Sequence, residues 1–193
     1  MSDNPKVAPK VALVTGGTRG IGRAICQRLA QDGFEVYFTY VSKPELAEEV
    51  VADIEKAGGK ARAFKLDSSN SEDVSGFFAN EIKGKVDLEV LVNNAGITHM
   101  PAPMEDVAED DFDRVLAVNA KSVYLTAREI VPGMKHQGAG AILNVASTAG
   151  LSRWISSTNS TSWGSRLVSS AARSPCFSST GPALWRRLAP ISP

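Results

Sequence analysis

The sequence predicts an α/β fold in which a doubly wound parallel sheet carries helices on both faces. Five short apolar segments alternate with helical segments before Gly150. Each apolar segment has the length of one buried strand, and turn-forming residues separate it from its neighbours. Strands that alternate with helices pair in parallel through right-handed crossovers. We therefore expect a Rossmann-type sheet, truncated or disordered after its fifth strand.

The first βαβ unit is the clearest part of this pattern. Apolar residues 11–15 predict the first strand, and helical spacing predicts a helix over 21–30 that ends before Gly33. Aromatic and β-branched residues predict the second strand over 34–40. This unit therefore places a glycine-rich segment between the first strand and the first helix.

Capping patterns predict where the next two helices begin. Ser42 and Glu45 have the spacing of a capping box, with Pro44 tolerated in the first turn. Ser69 and Glu72 repeat this spacing and open the third helix. The third and fourth strands are expected at 61–66 and 88–92. A long helix follows at about 109–134, and the fifth strand at 141–146.

The glycine-rich segment has the spacing of a phosphate-binding loop. Gly16 allows a tight turn, Gly20 lets a pyrophosphate approach the backbone, and Gly22 lets the helix pack against the strand. The start of the helix then offers free N–H groups and a positive dipole end to the phosphates. The alternative is a glycine-rich turn without a ligand. The predicted cofactor-binding residues here are Gly16, Thr18, Arg19, Gly20, Ile21 and Gly22.

Residues near the end of the second strand favour NADP(H) over NAD(H). Sites for NAD place an acidic residue there to bind the ribose 2′-hydroxyl, but the segment from Tyr40 has no acid before Glu45. Arg19 and Lys43 are instead available to a 2′-phosphate, although Lys43 also fits a solvated residue at a helix start. Asp67, after the third strand, is available to an adenine amino group or as a helix cap.

Together these motifs resemble those of the classical short-chain dehydrogenases/reductases, and within that family the 3-oxoacyl-[acyl-carrier-protein] reductases. The resemblance covers residues 10 to about 150 and implies NADPH-dependent hydride transfer to the ketone of a 3-oxoacyl thioester. A short-chain alcohol or sugar dehydrogenase is the alternative. The motifs shared are Thr15-Gly16-x-x-x-Gly20-Ile21-Gly22, Asp67, Asn93-Asn94-Ala95-Gly96, Asn119 and Ser147.

The resemblance also implies roles for individual residues. Asn93, Ala95 and Gly96 would line the adenosine and nicotinamide side of the cofactor. Two residues would be catalytic: Asn119 would hold a water in a proton relay, and Ser147 would polarise the substrate carbonyl. Taken alone, Asn119 also fits a buried helix asparagine, and Ser147 a strand-end serine. The family further implies a homotetramer.

The chain departs from the family where a general acid is required. Such a reductase protonates the developing alkoxide with a tyrosine, whose pKa a lysine four residues later lowers. The corresponding positions hold Ser160 and Gly164, and neither Tyr nor Lys occurs after Ser147. We therefore expect impaired catalysis, and a non-catalytic nucleotide-binding remnant is a further alternative.

Composition changes abruptly near Leu151. Residues 152–193 contain five Arg and no Lys, Asp or Glu, whereas residues 1–151 contain 16 basic and 21 acidic residues. A reading-frame shift explains this change best; a genuine divergent tail and a pseudo-enzyme are the alternatives. The expected organisation is an N-terminal extension (1–9), an NAD(P)-binding domain (10–151) and a tail of low order (152–193).

Charge, cysteine content and hydropathy exclude several classes of function. The formal net charge is zero, so we expect neither nucleic acid nor a membrane surface as partner. Cys26 and Cys176 have no metal-ligand spacing and form no disulfide framework. No signal peptide or membrane span is evident, which predicts a cytoplasmic protein with a small-molecule or acyl-thioester substrate. Uncovered sheet edges after the fifth strand predict poor solubility.

Overall fold

A computed structural model describes residues 10–100 and 102–146 and has the expected doubly wound α/β architecture. Its parallel strands are ordered β3-β2-β1-β4-β5. The strands are β1 (Val11–Val14), β2 (Glu35–Tyr40), β3 (Lys60–Lys65), β4 (Leu88–Asn93) and β5 (Ala141–Asn144). The helices are α1 (Gly20–Gln31), α2 (Pro44–Lys56), α3 (Ser71–Phe77), α4 (Glu109–Leu116) and α5 (Ser122–Gln137).

The strand order reverses direction between β1 and β4, which is where an open α/β sheet is expected to form a ligand crevice at its carboxyl edge. From β1 the chain proceeds outward through β2 to β3, then returns to pair β4 with the other side of β1. Beyond β4, β5 pairs in the register Asn93 to Asn144. Ligands of open α/β sheets bind at such a reversal, because the loops on its two sides diverge.

Two apolar clusters cover the two faces of the sheet, as the prediction of helices on both faces requires. One cluster joins the sheet to α1 and α2 through Val14, Cys26, Phe38, Val50 and Ile54. On the opposite face, β1 and β4 pack against α3 and α5 through the residues Leu13, Leu91, Val74, Leu125 and Ile130. This packing holds the strand ends, and therefore the loops of the crevice, in fixed positions.

Both capping patterns were placed one residue too early. Helix α2 begins at Pro44 after Lys43, which has a left-handed φ of 63°, and no side chain caps it, so Ser42 forms no capping box. Helix α3 is capped by Asn70, whose Oδ1 accepts hydrogen bonds from two backbone amides. Asp67 does not cap this helix, because its Oδ1 accepts instead from the backbone N–H and hydroxyl of Ser69, at 2.9 and 2.6 Å.

The predicted long helix is present but contains a π turn, Ala117–Lys121, between α4 and α5. There the N–H of Ser122 donates to the carbonyl of Ala117, five residues back. The hydroxyl of Ser122 donates to the carbonyl of Val118 at 2.5 Å and so replaces the bond that a regular helix would make. The helix ends at Gln137, beyond the expected end.

Apolar side chains are exposed on β5 and on the outer face of the long helix. Leu143 is 55% exposed and Ile142 is 37% exposed. On the helix, Leu116 and Tyr124 are exposed, and the guanidinium of Arg128 lies 5.7 Å from the centre of the Tyr124 ring. These exposed side chains agree with the expectation that apolar groups near the fifth strand are uncovered. The poor solubility that we expect from them stays a prediction.

Candidate functional site

The glycine-rich loop adopts the tight turn that its spacing predicts. Gly16 and Gly20 have φ values of +70° and +51°, in the left-handed region that side chains disfavour. Gly20 lies on the surface, and a Cβ added there would meet nothing within 4 Å. The open space above Gly20 therefore leaves the backbone accessible to a phosphate.

Two residues outside the predicted set fasten this loop to the end of β4. The hydroxyl of Thr15 accepts the backbone N–H groups of Asn94 and Ala95, at 3.0 and 2.9 Å. The side-chain amide of Asn94 donates to the carbonyls of Thr15 and Gly16, both at 3.0 Å. The two loops that flank the crevice are thus joined by four hydrogen bonds. The sequence identified Asn94 only as one residue of a motif. Its hydrogen-bond role could not be predicted, because its partners lie almost 80 residues away along the chain.

Close packing fixes two further glycines. A Cβ on Gly22 would lie 2.1 Å from the carbonyl oxygen of Gly16 and 2.6 Å from Nδ2 of Asn94. Gly22 therefore lets helix α1 start against the glycine loop itself, rather than against the strand as its spacing suggested. A Cβ on Gly17 would lie 2.6 Å from Phe38 and 2.8 Å from the sulfur of Cys26. Gly17 was not among the predicted site residues, although it is equally constrained.

The start of α1 supplies the electrostatics of the site. Arg19 is the N-cap residue, with extended backbone, and no side chain caps the helix. The side chain of Arg19 therefore does not occupy the first-turn N–H groups, which are the groups that bind anions at helix starts, and the helix dipole favours negative charge beside them. Arg19 and Ile21 are both exposed, and Thr18 is half-buried. Behind the loop, burial raises the pKa of the Cys26 thiol to about 12, so it remains protonated.

On the β2 side of the crevice lie the residues predicted to contact the adenosine half of a dinucleotide. Tyr40 is half-buried at the end of β2, and Lys43 is exposed three residues later. Neither Lys43 nor Arg19 forms an ion pair within the described part of the chain. At the end of β3, the Ser69 bonds orient the half-buried Asp67 carboxylate. Two cations and one carboxylate are thus available on this side.

On the β4 side, the structure places Asn93, Ala95, Gly96 and Asn119 around one loop. The side-chain amide of Asn119 donates to the carbonyl of Ile97 and accepts its N–H, both at 2.9 Å. The alternative interpretation, a buried helix asparagine that satisfies backbone groups, is wrong about burial, because Asn119 is exposed, but it is right that the side chain bonds to backbone groups. These bonds connect the π turn to the loop after β4.

The other predicted catalytic residue, Ser147, lies outside the described residues, as do the positions Ser160 and Gly164. In the described part of the chain, no three His, Cys, Asp or Glu side chains are grouped to hold a metal ion. Nor is any described helix both long enough and apolar enough to cross a membrane. What the described residues do form is a glycine-rich loop at a strand reversal, and this defines an α/β protein of the Rossmann class.

Comparisons with known proteins identify the family. The family model of short chain dehydrogenases matches residues 10–162. Cyclopentanol dehydrogenase of Comamonas sp. is 37% identical over 146 residues, which are 76% of this chain and 58% of that protein. The 3-oxoacyl-[acyl-carrier-protein] reductase FabG of Staphylococcus aureus is 37% identical over 141 residues, 73% of this chain and 57% of the relative. The chain therefore belongs to the short-chain dehydrogenase/reductase family.

A solved structure agrees with this assignment. A metagenomic short-chain oxidoreductase in complex with NADP superimposes with a TM-score of 0.70 at 35% identity, over 75% of this chain and 65% of that one. The chain spans somewhat more than half the length of the curated relatives described above. Family membership thus rests on residues 10–162.

Proposed function

We propose that this chain binds NADP(H) and that its lineage is that of an NADPH-dependent carbonyl reductase acting on 3-oxoacyl thioesters. The observation that carries the binding proposal is the glycine loop at the strand reversal. The N-cap residue Arg19 does not cap its first-turn amides, and Asn94 and Thr15 hold its backbone in place. A loop fixed before the ligand arrives loses little conformational entropy on binding.

The residues present fit such a dinucleotide. The first-turn amides of α1 would bind the pyrophosphate, while Arg19 and Lys43 would face the 2′-phosphate. The carboxylate oxygen of Asp67 that Ser69 leaves free would accept a hydrogen bond from adenine. Two cations that form no ion pair within the described residues, and a β2 end without an acid, support the phosphorylated cofactor.

When bound, the nicotinamide supplies a hydride to a carbonyl carbon. The resulting alkoxide needs one proton, so that ketone, NADPH and a proton give alcohol and NADP⁺. Ser147 would polarise the carbonyl, and Asn119 would hold a relay water with the atoms that its bonds to Ile97 do not use. Ser160 and Gly164 offer no general acid, which is the reason to expect weak turnover.

Two alternatives to the thioester substrate follow from specific observations. Cyclopentanol dehydrogenase matches this chain as well as FabG does, at 37% identity each, which supports a short-chain alcohol or sugar as substrate. Ser160 and Gly164 support a non-catalytic nucleotide-binding remnant. The family resemblance supports a homotetramer as a further proposal, and the cytoplasmic location expected from the sequence also stays a proposal.

The test is a fluorescence titration of the full chain with NADPH and with NADH, followed by absorbance assays with acetoacetyl-CoA and with cyclopentanone. Saturable binding with tighter NADPH supports the cofactor assignment, and no saturable binding refutes it. Turnover of acetoacetyl-CoA alone supports the thioester substrate, whereas turnover of cyclopentanone alone supports the alcohol dehydrogenase. Binding without turnover supports the remnant.

A pair of lysine variants tests the cofactor preference. Lys43→Met should weaken NADPH binding about tenfold, the effect of one lost charge-assisted hydrogen bond, and leave NADH binding unchanged. Lys56→Met is the matched control, because Lys56 is an exposed lysine in the last turn of the same helix. An equal effect of both substitutions would refute the role of Lys43.

A further inference from the structure

A chain of side-chain hydrogen bonds runs from the exposed Asn144 on β5 through Asn93 on β4 to the buried Thr126 of helix α5. The amide nitrogen of Asn93 donates to Oδ1 of Asn144 at 2.9 Å. The Oδ1 of Asn93 accepts from the hydroxyl of Thr126 at 2.8 Å, and the same hydroxyl lies 3.0 Å from the carbonyl of Ser122. Thr126 is fully buried, and Asn93 is only 5% exposed. The side chain of Asn93 therefore has a partner at each end.

The single hydroxyl proton of Thr126 is donated to Asn93, and its oxygen also contacts the carbonyls of Ser122 and Val123 at the start of α5, beside the π turn. Ser122 is buried, and its hydroxyl bonds to the carbonyl of Val118, inside the turn. The next residue, Asn119, holds the backbone of Ile97 by its two hydrogen bonds. Ile97 belongs to the loop that follows Asn93 on β4. The contacts thus close a ring in which helix and loop are connected at both ends.

A hydroxyl at the fully buried position of Thr126 is costly unless it is bonded, and a valine would fill the same space. Apolar packing alone therefore does not require Thr126. Its hydroxyl instead provides the one side-chain donor bonded to Oδ1 of Asn93 in the described structure. Without it, that buried oxygen loses its partner, at the foot of the loop that contains Ala95 and Gly96.

We propose that Thr126 is a positioning residue for the nicotinamide half of the cofactor. This inference rests on the proposed binding of NADP(H). The glycine loop and the ends of β2 and β3 take the pyrophosphate and adenosine, so the other half of the dinucleotide extends toward β4 and β5. Thr126 fixes Asn93, and through it the loop at Ala95 and Gly96, without touching the cofactor itself.

The experiment compares the affinity for NADPH with that for adenosine 2′,5′-bisphosphate, which lacks the nicotinamide. Thr126→Val should raise the Kd for NADPH about tenfold and leave the Kd for the bisphosphate within about twofold. Thr126→Ser, which keeps the hydroxyl, should restore most of the NADPH affinity. Asn144→Ala, at the other end of the chain of bonds, should change the ratio in the same direction as Thr126→Val.

Val74→Ala is the control for a purely structural effect. Val74 is buried in the same apolar cluster but lies on α3, so this variant should lower the Tm without changing the ratio of the two affinities. The proposal is overturned if Thr126→Val weakens both ligands equally, or if it changes neither. If the unsubstituted chain does not bind NADPH at all, the proposed function fails first, and this inference fails with it.

Discussion

Substitution of Gly22 by alanine tests whether helix α1 must start against the glycine loop. The backbone of Gly22 is helical, so alanine is compatible with its conformation and would ordinarily stabilise a helix by about 1 kcal/mol. The new Cβ, however, would lie 2.1 Å from the carbonyl oxygen of Gly16, about 1.3 Å closer than ordinary contact. It would also lie 2.6 Å from Nδ2 of Asn94.

The magnitude follows from what must move. Relief of the clash pushes the loop away from α1 and breaks the 3.0 Å bond from Asn94 to the carbonyl of Gly16. Overpacking costs about 1–3 kcal/mol, and the lost hydrogen bond costs about 1 kcal/mol. If about 2 kcal/mol of this cost destabilises the loop conformation that binds NADPH, the Kd for NADPH rises about 30-fold.

The assay is the NADPH titration, combined with urea unfolding. Gly133→Ala is the matched control, because Gly133 also lies within a helix and a Cβ there would meet nothing within 4 Å. The control should leave the Kd unchanged and raise the free energy of unfolding by up to about 1 kcal/mol. Binding of NADPH by the Gly22→Ala variant within twofold of the unsubstituted chain would refute the reasoning.

Three further predictions follow from the described contacts. Asn70→Ala should lower the free energy of unfolding by about 1 kcal/mol, because Asn70 caps α3. Ser69→Ala should lower it by less. A larger loss for Ser69→Ala than for Asn70→Ala in urea unfolding would contradict this assignment of the cap. The pKa of the mostly buried Glu129 is lowered chiefly by its hydrogen bond from Lys83. The unsubstituted chain should therefore have a higher free energy of unfolding than Glu129→Gln, and this difference should reach its full size above the pKa of an unfolded glutamate. It should disappear as the pH falls through the lowered folded pKa, and unfolding curves with no pH dependence in this difference would refute the pairing. Leu143→Lys should raise the soluble yield without lowering the Tm, because Leu143 is exposed on β5; an unchanged yield would count against the exposed edge as a cause of aggregation.

The sheet was predictable from the sequence because each strand is a short apolar run. A near-continuous apolar run of this length is typical of a strand that is buried on both faces of a parallel sheet. The helix starts were less predictable, because neighbouring residues compete for one role. Ser69 and Asn70 can both cap α3, and the hydroxyl of Ser69 is bonded to Asp67 instead. The π turn was not predictable from local spacing. It depends on the hydroxyl of Ser122 and coincides with the bonds that Asn119 makes to Ile97, 22 residues away.

The candidate site divides in the same way. Gly16 and Gly20 were predictable because their positive φ values follow from local turn geometry. The role of Asn94 was not, because its two carbonyl partners lie on a different strand–helix connection, and only the folded sheet brings them within 3.0 Å. A motif thus predicted that Asn94 matters, whereas the structure shows what its side chain does.

The proposed nucleotide binding and the proposed catalysis depend on different groups in this chain. The groups that would hold the pyrophosphate are fixed by contacts among residues 15–22 and 94–95, all within the described structure. The proton that a reductase must deliver has no donor at Ser160 or Gly164. Loss of the general acid removes a step of the reaction but none of these contacts. We therefore expect the affinity for NADPH to persist where turnover is lost, so the titration must be interpreted independently of the activity assay.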